Sequence, residues 1–114
     1  MKRVQSFKHA GRGIRVFLQS TPNAWIQITI FVAVILLGIY FDITKLEWIM
    51  LLFAGGLVFT TESINTAIEI DINLTSPEYH PYAKDTKDVA AGAVLIASLT
   101  ALVIGVLIFW PYLI

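Results

Sequence analysis

Apolar and polar positions along this chain fall into four blocks. Over residues 2–19, Phe7, Ala10, Ile14, Phe17 and Leu18 share one side of a helical wheel, while Lys8, Arg12 and Arg15 share another. That pattern predicts a helix lying in a membrane interface. Ser20-Thr21-Pro22-Asn23 interrupts it, with Thr21 placed to cap the next helix and Pro22 at its first position. From 24 to 41 only Gln27 and Thr29 break an apolar run, which is long enough to span a bilayer. A turn at 42–45 leads to a second helix over 46–73, apolar through Phe59 and polar beyond it. A polar connection at 74–86 leads to a third membrane helix over 87–110. The expected architecture is a single all-α integral membrane domain, 1–114. It has an N-terminal amphipathic surface helix (1–20) and three transmembrane helices (24–41, 46–73 and 87–110).

The polar part of the second long helix changes the picture from a plain span to a site. Glu62-Ser63-Ile64-Asn65-Thr66-Ala67-Ile68-Glu69 puts two carboxylates and an amide on a membrane helix. Residues advance about 100° each in a helix, so Glu62, Asn65, Thr66, Glu69 and Asn73 are expected along one narrow face. Ionisable groups in a bilayer are costly and face a bundle interior, a partner or a water-filled cavity. The helix from Glu47 to Asn73 covers roughly 40 Å against a hydrocarbon core of about 30 Å. Its charged end must therefore protrude, leaving Glu62 just inside the boundary, at the depth of a lipid headgroup hydroxyl.

Composition agrees with a membrane. The chain is 57% hydrophobic and only 14% charged, where a soluble domain carries about 25%. Net charge is zero, yet Lys2, Arg3, Lys8, Arg12 and Arg15 all precede residue 16, and no acid precedes Asp42. This asymmetry predicts a cytoplasmic N-terminus in a multi-pass protein of the cell's inner or plasma membrane. Nothing else in the chain forms a soluble module, so the basic cluster does not imply a nucleic-acid partner. Cysteine is absent, which excludes disulfides and cysteine-built zinc sites. The first apolar run ends in Gly38-Ile39-Tyr40-Phe41-Asp42, which reads as a span rather than as a removable signal.

Carboxylates and an amide suit magnesium, which prefers oxygen ligands and keeps waters and substrate phosphates. A partly desolvated carboxylate can serve as a general base. Lys87 and Asp88 are expected to open the last helix, whose N-terminus favours anions. Metal, phosphate clamp and base are the parts of phosphoryl transfer. No Walker loop or kinase glycine-rich motif occurs, and Gly55-Gly56 reads as a helix-packing pair.

These residues resemble a known family. Glu62-Ser63-Ile64-Asn65-Thr66-Ala67-Ile68-Glu69, then Ser76-Pro77-Glu78-Tyr79-His80, then Lys87-Asp88-Val89-Ala90-Ala91-Gly92-Ala93-Val94-Leu95, is similar to the prokaryotic diacylglycerol kinases, which include the undecaprenol kinases. The resemblance implies a membrane lipid kinase that moves the γ-phosphoryl of MgATP to a diacylglycerol or undecaprenol hydroxyl at the cytoplasmic interface. It implies that Glu62 is the catalytic base, supported by Asn65, and that Glu69 coordinates Mg2+. It also implies that Glu78, Tyr79, His80, Lys87 and Asp88 contact the nucleotide. A homotrimer with sites shared between subunits is implied as well.

The chain departs from the family pattern at four positions. Thr21 stands where a metal-binding Glu is usual, Trp25 and Gln27 stand where Arg and His are common, and Asn73 stands where Asp is common. The first departure raises a non-catalytic lipid- or nucleotide-binding relative as an alternative. A second alternative, a small proton-coupled transporter built on Glu62, leaves Glu69 and the Lys87-Asp88 pair unexplained.

Overall fold

A computed structural model describes residues 2–114. Four helices follow one another: α1 Lys2–Ser20, α2 Pro22–Phe41, α3 Lys45–Thr75 and α4 Pro81–Leu113. Three of them, α2, α3 and α4, are long and apolar enough to cross a membrane. α1 covers the segment expected as a surface helix, except residue 1, which lies outside the described residues.

Local chemistry sets the boundaries. Asp42 turns the chain at φ 52, in the left-handed region, and its N–H reaches back to Ile39 O. Thr44 then caps α3 in a reciprocal box. Its hydroxyl accepts from Glu47 N at 3.2 Å, and its own N–H donates to Glu47 Oε1 at 2.9 Å. At the other junction Pro22 takes the first turn of α2 as expected. Thr21 occupies the N-cap position, but its side chain makes no cap hydrogen bond. The hydroxyl turns to α3 instead, lying 2.7 Å from Thr66 Oγ1.

The structure corrects the expected connection at 74–86. α3 runs to Thr75 and α4 starts at Pro81, so the loop shrinks to 76–80. The reason is capping. His80 sits in extended geometry and its Nδ1 accepts from Tyr82 N at 3.2 Å, while Pro81 supplies a pre-set φ at the first helical position. Lys87 and Asp88 consequently lie inside α4, past its first turn, and not at its N-terminus. The anion-favouring free N–H groups belong to residues near Pro81.

α3 and α4 form the main packed pair. They are antiparallel, since Glu47 meets Tyr112 at one end and Asn73 meets Lys87 at the other. α2 lies against them more loosely, through Phe31 on Phe59 (ring centroids 5.9 Å apart) and Phe41 stacked on Tyr112 at 5.7 Å. Gly55 permits the first of these, because a Cβ there would run into the Phe31 ring. Gly56 faces open space. The buried core (Ile43, Leu51, Ile108 and Phe109) gathers at the end of the α2–α3 turn, away from the polar stripe.

Candidate active site

α3 distributes the stripe over two sides of itself. Glu62 and Thr66 are buried and turn toward α1 and α2, where Gln27 Nε2 donates to Glu62 Oε1 at 2.6 Å. Asn65 turns toward α4. Its Nδ2 donates to Glu69 Oε1 at 3.3 Å, while its own carbonyl oxygen is buried without a partner. Glu69 is exposed. Farther along, Lys87 Nζ donates to Asn73 Oδ1 at 2.6 Å. The single polar face expected from sequence is thus split, with Glu62 and Asn65 about 60° apart around the helix axis.

Each side carries a cavity of about 550 Å³. One lies between α3 and α4 and is lined by Asn65, Ile68, Tyr82, Asp85, Thr86 and Val89, among others. The other is a long apolar cleft between α2 and the α3–α4 pair. Gln27 stands at its polar end, and Phe31, Val34, Gly55 and Phe59 form part of its wall. Asn65 lines the first, while Glu62, three residues away on α3, is hydrogen-bonded to Gln27 of the second.

The remaining expected site residues are placed as follows. Glu78, Tyr79 and His80 are exposed in the α3–α4 loop, and the His80 ring lies 5.5 Å from that of Tyr82. Lys87 is half-buried on α4. Asp88 is engaged by Lys84 at 2.6 Å, one turn earlier, in the only ion pair among the described residues. Glu62, the buried acid, therefore has no cation within salt-bridge distance, and Gln27 is its side-chain hydrogen-bond donor. Asp71 is exposed.

No group of three or more acidic, histidine or cysteine side chains comes together among the described residues. A magnesium site here would rest on fewer protein ligands. The donors present do fit that ion. Glu69 offers a carboxylate, and the orphaned Asn65 oxygen is a hard neutral donor beside it. Magnesium is commonly held by one or two carboxylates plus waters and substrate phosphates.

Sequence reasoning missed Gln27, Tyr82, Asp85 and Thr86. The last three were hidden in a segment read as loop. Gln27 did carry a signal, being the one amide in an otherwise apolar span, but its partner on α3 could not be read from spacing within one helix.

Three helices long and apolar enough to span a membrane, with a buried acid on α3 hydrogen-bonded to a residue that lines one of two clefts, define a small helical membrane protein with a site at one end of its bundle. Residues 8–109 match the family model for prokaryotic diacylglycerol kinase, and the chain belongs to that family of membrane lipid kinases. It is 38% identical to the undecaprenol kinase of Bacillus subtilis (strain 168) over 109 residues, covering 96% of this chain and 89% of that one. It is 34% identical to a diacylglycerol kinase of Synechocystis over 107 residues, covering 93% of this chain and 61% of that one. Against the diacylglycerol kinase of Escherichia coli (strain K12) the identity is 30% over 96 residues, covering 78% of this chain and 79% of that one.

Proposed function

We propose that this kinase joins its two substrates across the segment of α3 that carries Glu62 and Asn65, with nucleotide phosphates on the α4 side and a lipid alcohol on the α2 side. The observation that carries the reading is the placement of Glu62. It is the buried acid of the stripe, only 8% exposed, and it lies beside the polar end of an apolar cleft. An acceptor lipid whose chain fills that cleft presents its hydroxyl to Glu62. The carboxylate takes the hydroxyl proton as the oxygen attacks the γ-phosphorus, and ADP departs with the electrons of the broken P–O bond.

On the other side, Asn65, Tyr82, Asp85 and Thr86 line the space for ATP, with Lys87 as the phosphate contact. Glu78, Tyr79 and His80 in the neighbouring loop, and Asp88, complete the nucleotide surface. Glu69, with the free Asn65 oxygen, would hold Mg2+, which would supply positive charge to offset that of the phosphates. The basic residues before position 16 support a cytoplasmic location for this end and a cell-membrane address. α1, which carries those charges, would lie along that face of the bilayer.

The relatives' names offer two acceptors, undecaprenol and diacylglycerol, and both present a hydroxyl on a long apolar tail. A side-by-side assay with purified protein, Mg2+, γ-labelled ATP and each lipid tests the reading. Label is expected in at least one lipid, and Glu62→Gln should lower its incorporation by at least about 100-fold, the lower end of what a general base contributes. Full activity in Glu62→Gln would remove Glu62 from the chemistry. Absence of lipid phosphorylation in the parent protein would favour a non-catalytic binding role, the reading that Thr21 motivates. Its hydroxyl is already engaged with Thr66 and adds no carboxylate to the metal donors.

A further inference from the structure

Gln27 makes one hydrogen bond where its side chain has capacity for more. Its N–H reaches Glu62, but its carbonyl oxygen is buried and has no partner. The orientation of the amide is not arbitrary. An ionised carboxylate only accepts hydrogen bonds, so the nitrogen must face Glu62 and the oxygen must face away from it. Buried acceptors in folded proteins are nearly always satisfied, and an exception calls for a missing donor. Gln27 lines the apolar cleft between α2 and α3–α4, whose own side-chain donors, the Ser98 hydroxyl and the Trp110 N–H, make no hydrogen bond to that oxygen. A donor carried by whatever fills the cleft would satisfy it.

We propose that the Gln27 carbonyl receives the hydroxyl of the acceptor lipid and makes Gln27 the residue that distinguishes a lipid alcohol from lipid of the same shape without a hydroxyl. This inference rests on the reading of Glu62 as the base that later takes the proton. A molecule with a long apolar body and one donor at its end matches the apolar cleft and the buried, unpartnered Gln27 oxygen beside Glu62. The hydroxyl first donates to Gln27 Oε1. The Glu62 carboxylate, tied to the same amide at 2.6 Å, is then the adjacent acceptor to which that proton passes when the oxygen attacks phosphorus. The O–H bond breaks, the new P–O bond forms as the bond from the γ-phosphorus to ADP breaks, ADP leaves with that electron pair, and the proton ends on Glu62. The amide thus holds the base with one atom and presents the substrate to it with the other.

The test is equilibrium binding without ATP, so that no lipid is turned over. One arm compares 1,2-dioctanoylglycerol with its analogue lacking the free hydroxyl, and a second compares farnesol with the corresponding hydrocarbon. The unaltered protein should prefer the alcohol by about tenfold in at least one arm, the size expected for one buried hydrogen bond. Gln27→Leu should erase that preference, while Gln27→Glu, which keeps an acceptor in the same place, should retain most of it. Retained preference in Gln27→Leu, or no preference in the unaltered protein in either arm, would overturn the proposal. Should Gln27→Leu fail to fold, loss of the preference in folded Gln27→Glu would overturn it equally. Failure of the kinase reading would appear separately, as unphosphorylated lipid in an otherwise intact alcohol preference.

Discussion

Lys87 shows how a single neighbour sets what a charged side chain can do. Its ammonium is held by the neutral carbonyl of Asn73 at 2.6 Å. A neutral acceptor positions the ammonium without offsetting its charge, which stays available to phosphate. Asn73→Asp would turn the contact into an ion pair and compete with the nucleotide. Exposed pairs of this kind are worth about 0–1 kcal/mol, so KM for ATP should rise by up to about fivefold, with kcat at saturating ATP little changed. Initial rates across an ATP titration at fixed lipid check this, and a lower KM would count against it. The stripe that carries these residues was legible in the sequence because five polar positions at helical spacing cannot be accidental decoration on a membrane helix. What was not legible was its division. A helical wheel places Glu62 and Asn65 near one another but does not say that α2 covers the first and α4 faces the second. The Gln27–Glu62 bond joins residues 35 positions apart, and the Thr21–Thr66 bond joins residues 45 apart. Thr21 looked like a helix cap because local chemistry favours that use, yet a hydroxyl on α3 took it.

At the scale of elements, apolar runs announced all three spanning helices, since hydrocarbon permits few other backbones. The start of α4 was misplaced by six residues for a related reason. Beyond the hydrocarbon, a helix no longer needs apolar residues, so hydropathy ceases to mark it and caps decide instead. His80 and Pro81 supply the cap and the first turn, and Lys84 and Asp88 pair one turn apart on the surface that follows. The packing of α2 on α3 is equally local. A Cβ at Gly55 meets the Phe31 ring, whereas one at Gly56 meets nothing within 4 Å. Gly55→Ala is therefore expected to destabilise the protein by about 1–3 kcal/mol, the cost of overpacking a fitted contact. Gly56→Ala should be neutral to slightly stabilising, since Ala is the better helix former. Thermal unfolding of both variants in detergent measures the difference, and equal melting temperatures would contradict the assignment of Gly55 as the contact point.

As a whole molecule, one chain leaves much of itself uncovered. Of the most apolar window in each spanning helix, 11% is buried in α2, 28% in α3 and 17% in α4. No large side chain among the described residues is fully buried. Lipid tails satisfy apolar surface, and the open flanks of both clefts leave room for neighbouring helices. Such packing fits the family's implied homotrimer, which we expect for this chain. Native mass measurement of the protein in mild detergent, together with limited cross-linking, should give a species of three copies. A strictly monomeric species that retains full activity would remove the need for shared sites.

The aromatic end of the bundle has a consequence for what the polar end can tolerate. Tyr112 OH donates to Glu47 at 2.5 Å, Phe41 stacks on the same ring, and Gly38 lets Trp48 close against α2. All three helices are thereby stapled at that rim, whereas the opposite rim is joined by a few polar bonds that water can replace. The side chains that fasten all three rods to one another are thus concentrated at the rim opposite Glu62, so substitutions in the polar stripe can change the candidate site without loosening the grip that keeps the rods in register.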